Sequence, residues 1–268
     1  MTATPHSEPA LLVERSGPVA TVTLNRPALH NAFDDALVER LHAAAADLAG
    51  DAGVRVAVLA GNGASFCAGA DLNWMQRMVD YTEEENLADS TAMARMFEAW
   101  YRLPKPVVGR IHGAALGGGL GLVSVCDVAV ASTKAVFGFT EIRLGILPAV
   151  ISPFALAKIG PGAARALFLT GERFDAERAL ALGLVQRVAA PGDLDDAVAA
   201  VVRDLLAGGP EAQARIKELV GAVAGIAPED ARDLTAGIIA GARAGAEGQE
   251  GIRAFLERRR AAWREDAP

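Results

Sequence analysis

The sequence predicts an α/β fold, and three observations carry that reading. Short runs rich in β-branched residues alternate with longer helical stretches over the first two thirds of the chain. Two glycine-bearing segments each stand between such a run and a helix, and the last third shows helical patterning alone. In order, Val19 to Leu24 reads as a strand, and a helix from about Asp34 to Ala49 leads to a second strand, Val54 to Ala60. A helix from Asn86 to Tyr101 leads to a third strand, Val107 to His112. Strands over Val128 to Ala131 and Val136 to Phe139 follow, then helices near Ala149 to Ile159, Gly162 to Thr170 and Ala176 to Ala181. Past Pro191 the stretches Asp193 to Ala207, Pro210 to Ala224 and Pro228 to Trp263 hold no convincing strand, so a helical appendage capped near Asp193 and Pro228 is expected. The division falls near residue 195, giving a core of residues 1–195 and a helical region of 196–268.

Composition bounds the function. At 268 residues and 51% hydrophobic content, the chain can bury one large core and a smaller appendage. Twenty-six Lys and Arg against 33 Asp and Glu leave a net charge of −7, which opposes broad binding to nucleic acid or to anionic membrane. Met1 to Pro9 lacks the cationic start and apolar core of a secretory signal, and no uninterrupted 18-residue apolar stretch occurs, so a soluble cytoplasmic protein is expected. Cys67 and Cys126 are expected to be reduced thiols filling small apolar sites. His6, His30, His42 and His112 are scattered without metal-ligand spacing, so no metal is expected. The glycine run lacks the Gly-Lys-Ser/Thr ending of a phosphate-binding loop, and neither Gly-x-Ser-x-Gly nor His-Glu-x-x-His is present.

The two glycine segments are Ser65 to Leu72 and Gly113 to Gly121, each following a β-branched apolar run and preceding a helical stretch. At such a junction the first N–H groups of the helix have no partner within it, and the helix dipole is positive there. Two facing junctions can hold an oxygen that becomes negative, as a thioester oxygen does on forming an enolate. Glu141 supplies a carboxylate able to act as acid and base. Between the segments, Trp74, Met75, Met78 and Tyr81 suit either an acyl-chain pocket or packing, whereas Met93, Met96, Phe97 and Trp100 read as core.

These residues carry a family resemblance. Phe66 to Leu72, His112 to Gly119, Phe137 to Pro148 and the ending Gly251 to Arg259 resemble four ordered motifs of the enoyl-CoA hydratase/isomerase (crotonase) superfamily, across nearly the whole chain. The resemblance implies a crotonase-like spiral of ββα units with a C-terminal helical trimerisation region. It also implies a homotrimer, or a hexamer made of two trimers, and an acyl-CoA thioester substrate with no further cofactor, since coenzyme A belongs to the substrate. Carried over by position, the oxyanion donors are the N–H groups of Ala70 and Gly118, and Glu141 exchanges a proton at the carbon beside the thioester. Ala68, Asp71, Asn73, Trp74, Met75 and Gly117 fall on positions around the acyl thioester. Arg26, Ala28, Phe255 and Arg258 fall on positions that meet CoA, although Ala28 stands where a lysine is usual. Gly121 stands where typical hydratases carry a second glutamate that helps activate water. A single carboxylate suffices for a 3,2-enoyl-CoA isomerase. The stretches Gly69 to Met75, Leu147 to Pro153 and Leu169 to Asp175, however, are similar to bacterial hydratases of the methylglutaconyl-CoA and carboxygeranoyl-CoA type. A binding protein without chemistry is the third reading, opposed by the presence of Glu141.

Overall fold

A computed structural model describes residues 9–264 of the chain. The stretch Met1 to Glu8, with His6, lies outside the described residues. The first described elements form a hairpin that the alternation reading found only in half: β1 (Leu11–Ser16) pairs antiparallel with β2 (Val19–Leu24). β1 leaves most of its side chains outside the core, so it lacks the apolar alternation that marks a strand.

From β2 onward the large sheet is parallel. β3 (Val56–Gly61), β4 (Val107–Ile111), β6 (Val128–Ser132) and β9 (Arg187–Ala189) add in the order β1-β2-β3-β4-β6-β9. Parallel neighbours need crossovers, and helices supply them. α1 (Asp35–Gly50) links β2 to β3; the Asp34 carboxylate caps it by accepting from the Leu37 N–H, and Leu37, Leu41, Ala44, Ala45 and Leu48 turn to the core. α2 (Leu72–Met78) and α3 (Glu83–Tyr101) link β3 to β4, and a Thr82/Glu85 capping box starts α3. Met96, Phe97 and Trp100 are buried in α3, and the Trp100 indole N–H donates to Leu41 O of α1 at 3.0 Å.

A second, small sheet carries the site. β5 (Ala114–Leu116) pairs parallel with β7 (Val136–Gly138), which pairs antiparallel with β8 (Phe174–Asp175). α4 (Gly118–Val125) leaves β5 directly and is apolar all round, as a buried helix must be. α5 (Ser152–Thr170) breaks at Gly160, just before Pro161, so the two expected helices are halves of one kinked element; α6 (Ala176–Ala181) follows. α7 (Leu194–Leu206) lays Leu194, Val198, Val201 and Leu206 against Val56, Val58, Val108 and Val130 on the face of the large sheet opposite the main core.

α8 (Pro210–Val223), α9 (Pro228–Ala244) and α10 (Ala246–Leu256) complete the chain; the single helical stretch expected after Pro228 is divided at Gly245. Arg55 binds Trp263 O and Gly208 O, each at 2.6 Å, and Lys217 of α8 pairs with Asp127 at 2.8 Å. Both anchors lie where strands begin: Arg55 just before β3, Asp127 just before β6. The glycine segments lie where β3 and β4 end, roughly 17 Å further along the pleat. Among the described residues, no helix is long and apolar enough to cross a membrane.

Candidate active site

The two glycine segments lie side by side. Phe66 N–H donates to His112 O at 2.9 Å, Cys67 N–H to Ala114 O at 3.0 Å, and Leu116 N–H to Cys67 O at 3.0 Å. On the far side of the first segment, Phe33 N–H donates to Gly69 O and Asp71 N–H to Phe33 O, both at 2.7 Å. Ala70 is exposed and Gly118 half-buried, and no backbone acceptor among the described residues takes the N–H of either.

Gly117 caps α4 with φ 50° and ψ −123°, a conformation open to glycine alone. Its N–H donates to Gly138 O at 2.9 Å, tying the start of α4 to β7. Three residues beyond that strand comes Glu141, opening a 3-10 turn over Glu141–Leu144. A Cβ built on Gly117 would stand 3.4 Å from Glu141 Oε1, an ordinary contact distance that places the carboxylate beside the start of α4. Glu141 is half-buried, and its Oε2 is fully enclosed with no hydrogen-bond partner among the described residues. Burial pushes this carboxyl above the ordinary glutamate range, partly offset by its own N–H. An enclosed carboxylate with an unpaired oxygen is costly for stability, which makes Glu141 a candidate functional residue.

Arg26 is placed differently from its expected role. Its guanidinium contacts Asp71 Oδ2 at 2.8 Å, Asp34 Oδ2 at 2.9 Å and Ala32 O at 2.5 Å, with 15% of the side chain exposed. These contacts turn Arg26 into the protein, where it secures the segment that carries Ala70. Burial opposes the Asp71 charge, but the Asn73 N–H, the Arg26 charge and the Trp74 N–H outweigh it and hold the carboxyl below its ordinary value. Asp71 thereby caps α2, accepting from Asn73 N–H at 2.8 Å.

Gly121 is enclosed by apolar side chains. A Cβ there would lie 2.5 Å from Ile151 Cγ2 and 2.5 Å from Phe97 Cζ, so apolar side chains already fill the space a second carboxylate would need. Trp74 belongs to the core at 1% exposure, whereas Met75 is half-buried and Asn73 exposed beside it on α2. The Ala68 N–H is taken by His30 O at 3.0 Å, and Ala28 is exposed nearby in sequence. Phe255, 83% exposed, lies in the last turn of α10, and Arg258 follows that helix. Burial pushes the Cys67 thiol up to about 12, so it is an inert neighbour of the site. A cavity of about 1020 Å3 opens between the large sheet and α7, lined by Thr21, Val58, Arg110, His112 and Asp195; it includes none of the residues around Glu141.

This fold and site define an acyl-CoA enzyme built on adjoining strand-to-helix junctions. The profile of the family described as enoyl-CoA hydratase/isomerase matches residues 14–266, and the chain belongs to that family. A crystal structure of an enoyl-CoA hydratase from Shewanella pealeana superposes with a TM-score of 0.92 at 37% identity, covering 95% of this chain and 96% of that one. The 2,3-dehydroadipyl-CoA hydratase of Escherichia coli K12 is 39% identical over 69% of this chain and 70% of its own length. The (E)-benzylidenesuccinyl-CoA hydratase of Thauera aromatica is 38% identical over 69% and 71% respectively.

Proposed function

We propose that this enzyme adds or removes water across the double bond of an enoyl-CoA thioester through an enolate. The observation that carries the proposal is the half-buried Glu141 carboxylate, one oxygen unpaired, beside the start of α4. In hydration, a water oxygen bonds to carbon 3 while the π electrons move onto the thioester oxygen. Glu141 takes the water proton and delivers it to carbon 2 as the enolate collapses. The free N–H groups of Ala70 and Gly118 hold the negative oxygen meanwhile, a contribution of about 2.7–4 kcal/mol per donor in enzymes where one has been removed. The raised pKa of Glu141 suits both halves of this exchange.

A branched or carboxylated acyl group, of the methylglutaconyl-CoA kind, is the substrate class we favour. Its support is the motif similarity around Gly69 to Met75 and the names of two relatives, since dehydroadipyl and benzylidenesuccinyl groups each carry a distal carboxylate. Isomerisation is the second reading, favoured by the filled space at Gly121. There Glu141 alone removes a proton from carbon 2 of a 3-enoyl-CoA and returns it at carbon 4. We further propose that the enzyme works in the cytoplasm without a cofactor, as a homotrimer or hexamer. Ile216, Val220, Leu234, Ile239, Ile252 and Leu256 leave apolar surface on α8 to α10 for such contacts, and Phe255 and Arg258 would reach CoA on a neighbouring subunit. A panel of crotonyl-CoA, 3-methylglutaconyl-CoA and a 3-enoyl-CoA tests the reading. Fastest turnover of the branched acid supports it, fastest conversion of the 3-enoyl-CoA selects isomerisation, and turnover of none rejects both.

A further inference from the structure

The two segments bearing the free N–H groups, already joined by direct hydrogen bonds, both also touch one further residue, Phe33. Its N–H and C=O bond to Gly69 and Asp71, a parallel bridge centred on Ala70. Along an extended segment successive N–H groups point to opposite sides, so the bridge turns the Ala70 N–H away from Phe33. The Phe33 ring runs to the other segment: a Cβ on Gly118 would lie 3.0 Å from Cε2 and 3.1 Å from Cδ2. The side chain is 1% exposed and stands edge-on to Phe97, with centroids 6.2 Å apart and planes at 88°. Phe97 in turn fills the space beside Gly121, three residues further along α4.

We propose that Phe33 is a positioning residue for the oxyanion site. Its backbone fixes the orientation of Ala70, while its ring, backed by Phe97, fixes the first turn of α4. One stiff side chain with two rotatable bonds therefore adds to the direct hydrogen bonds between the two loops in fixing the separation of their N–H groups. The inference rests on reading Ala70 and Gly118 as the donors to the thioester oxygen. Donors stabilise an enolate only when held in place beforehand, and a misplacement of about 1 Å can cost on the order of 10²-fold in rate.

The test compares the parent enzyme with Phe33→Leu, which keeps the backbone bridge but ends short of Gly118, and Phe33→Met, which keeps the reach but not the stiffness. The readouts are kcat and KM on the best substrate of the panel, and the carbonyl stretch of bound [1-13C]crotonyl-CoA by difference infrared spectroscopy. Phe33→Leu should lower kcat roughly 10- to 100-fold with KM nearly unchanged, and Phe33→Met by less. The downward carbonyl shift seen in the parent should shrink in the same order. A packing role alone would lower Tm and leave kcat and the carbonyl shift of the folded enzyme intact. That outcome in Phe33→Leu, or in Phe33→Met if the leucine variant does not fold, overturns the proposal. Absence of any carbonyl shift in the parent would overturn the oxyanion reading itself, and this inference with it.

Discussion

Replacing Gly121 with alanine adds a single methyl group at a crowded glycine of α4. The new Cβ would stand 2.5 Å from Ile151 Cγ2, 2.5 Å from Phe97 Cζ and 2.6 Å from Phe97 Cε1. Carbon atoms pack best at about 3.5–4.0 Å, so each contact is about 1 Å too close. Neither neighbour has room to yield, since Phe97 is fully buried and Ile151 is 3% exposed. Overpacking of this kind costs about 1–3 kcal/mol. Alanine in place of glycine inside a helix returns about 0.8–1.0 kcal/mol, which leaves a net loss of up to about 2 kcal/mol. At about 2–4 °C per kcal/mol for a chain of this order of size, Tm should fall by several degrees. Pushing Phe97 toward Phe33 should also lower kcat. Calorimetry of the purified variant together with steady-state kinetics reads both effects. A Gly121→Ala protein as stable and as active as the parent would refute the packing described here. By the same geometry, Gly121→Glu should give misfolded protein rather than a faster crotonyl-CoA hydratase.

Three further outcomes follow from the charges. Arg26→Gln breaks a largely buried pair, which typically costs about 3–5 kcal/mol, and should lower Tm and kcat while leaving the salt dependence of KM unchanged; a KM rise confined to low salt would return Arg26 to the CoA phosphates. The Asp71 carboxyl is held low in the folded protein, so its contribution is complete above the unfolded value near 3.8 and is lost as pH falls through the lower folded value. In Arg26→Gln the folded value moves up toward the unfolded one, so the loss should be smaller and complete at higher pH, and acid titrations of the two proteins that coincide would contradict it. Glu141 has the opposite sign: its folded pKa is raised, so ionising it costs stability as pH rises from its unfolded value through the folded one. Glu141→Gln should therefore melt higher than the parent at neutral pH, with the difference shrinking toward acid, and a lower neutral Tm would show that the carboxylate is well compensated.

Much of this arrangement was legible before any coordinates. The alternation of apolar runs and helices located β2, β3, β4, β6 and β7, and the break at Gly160 with Pro161 was visible as two helices. Strands β5, β8 and β9 escaped because two or three residues cannot display a period; β7 is as short, but Ala135 and Phe139 on either side lengthen its apolar run. The two segments could be named as junctions from their glycines, but their alignment depends on long-range bonds such as Leu116 to Cys67, which no local pattern encodes. The ion pairs of Arg26 are hidden from the sequence for a similar reason. An arginine near a substrate motif looks like a phosphate ligand until Asp71, 45 residues away, is seen beside it. Phe33 gave no signal at all, because its role lies in touching two segments distant in sequence.

If Glu141 moves the proton at carbon 2 of the acyl chain, deuterium incorporation measures that step directly. The parent enzyme, incubated with its best enoyl-CoA in D2O and followed by NMR, should place deuterium at carbon 2 of the product at the rate of turnover. Glu141→Gln, folded and still binding the thioester, should slow that incorporation by about 10²- to 10⁴-fold. Incorporation at the parent's rate in Glu141→Gln would contradict the account, because another group would then be moving the proton.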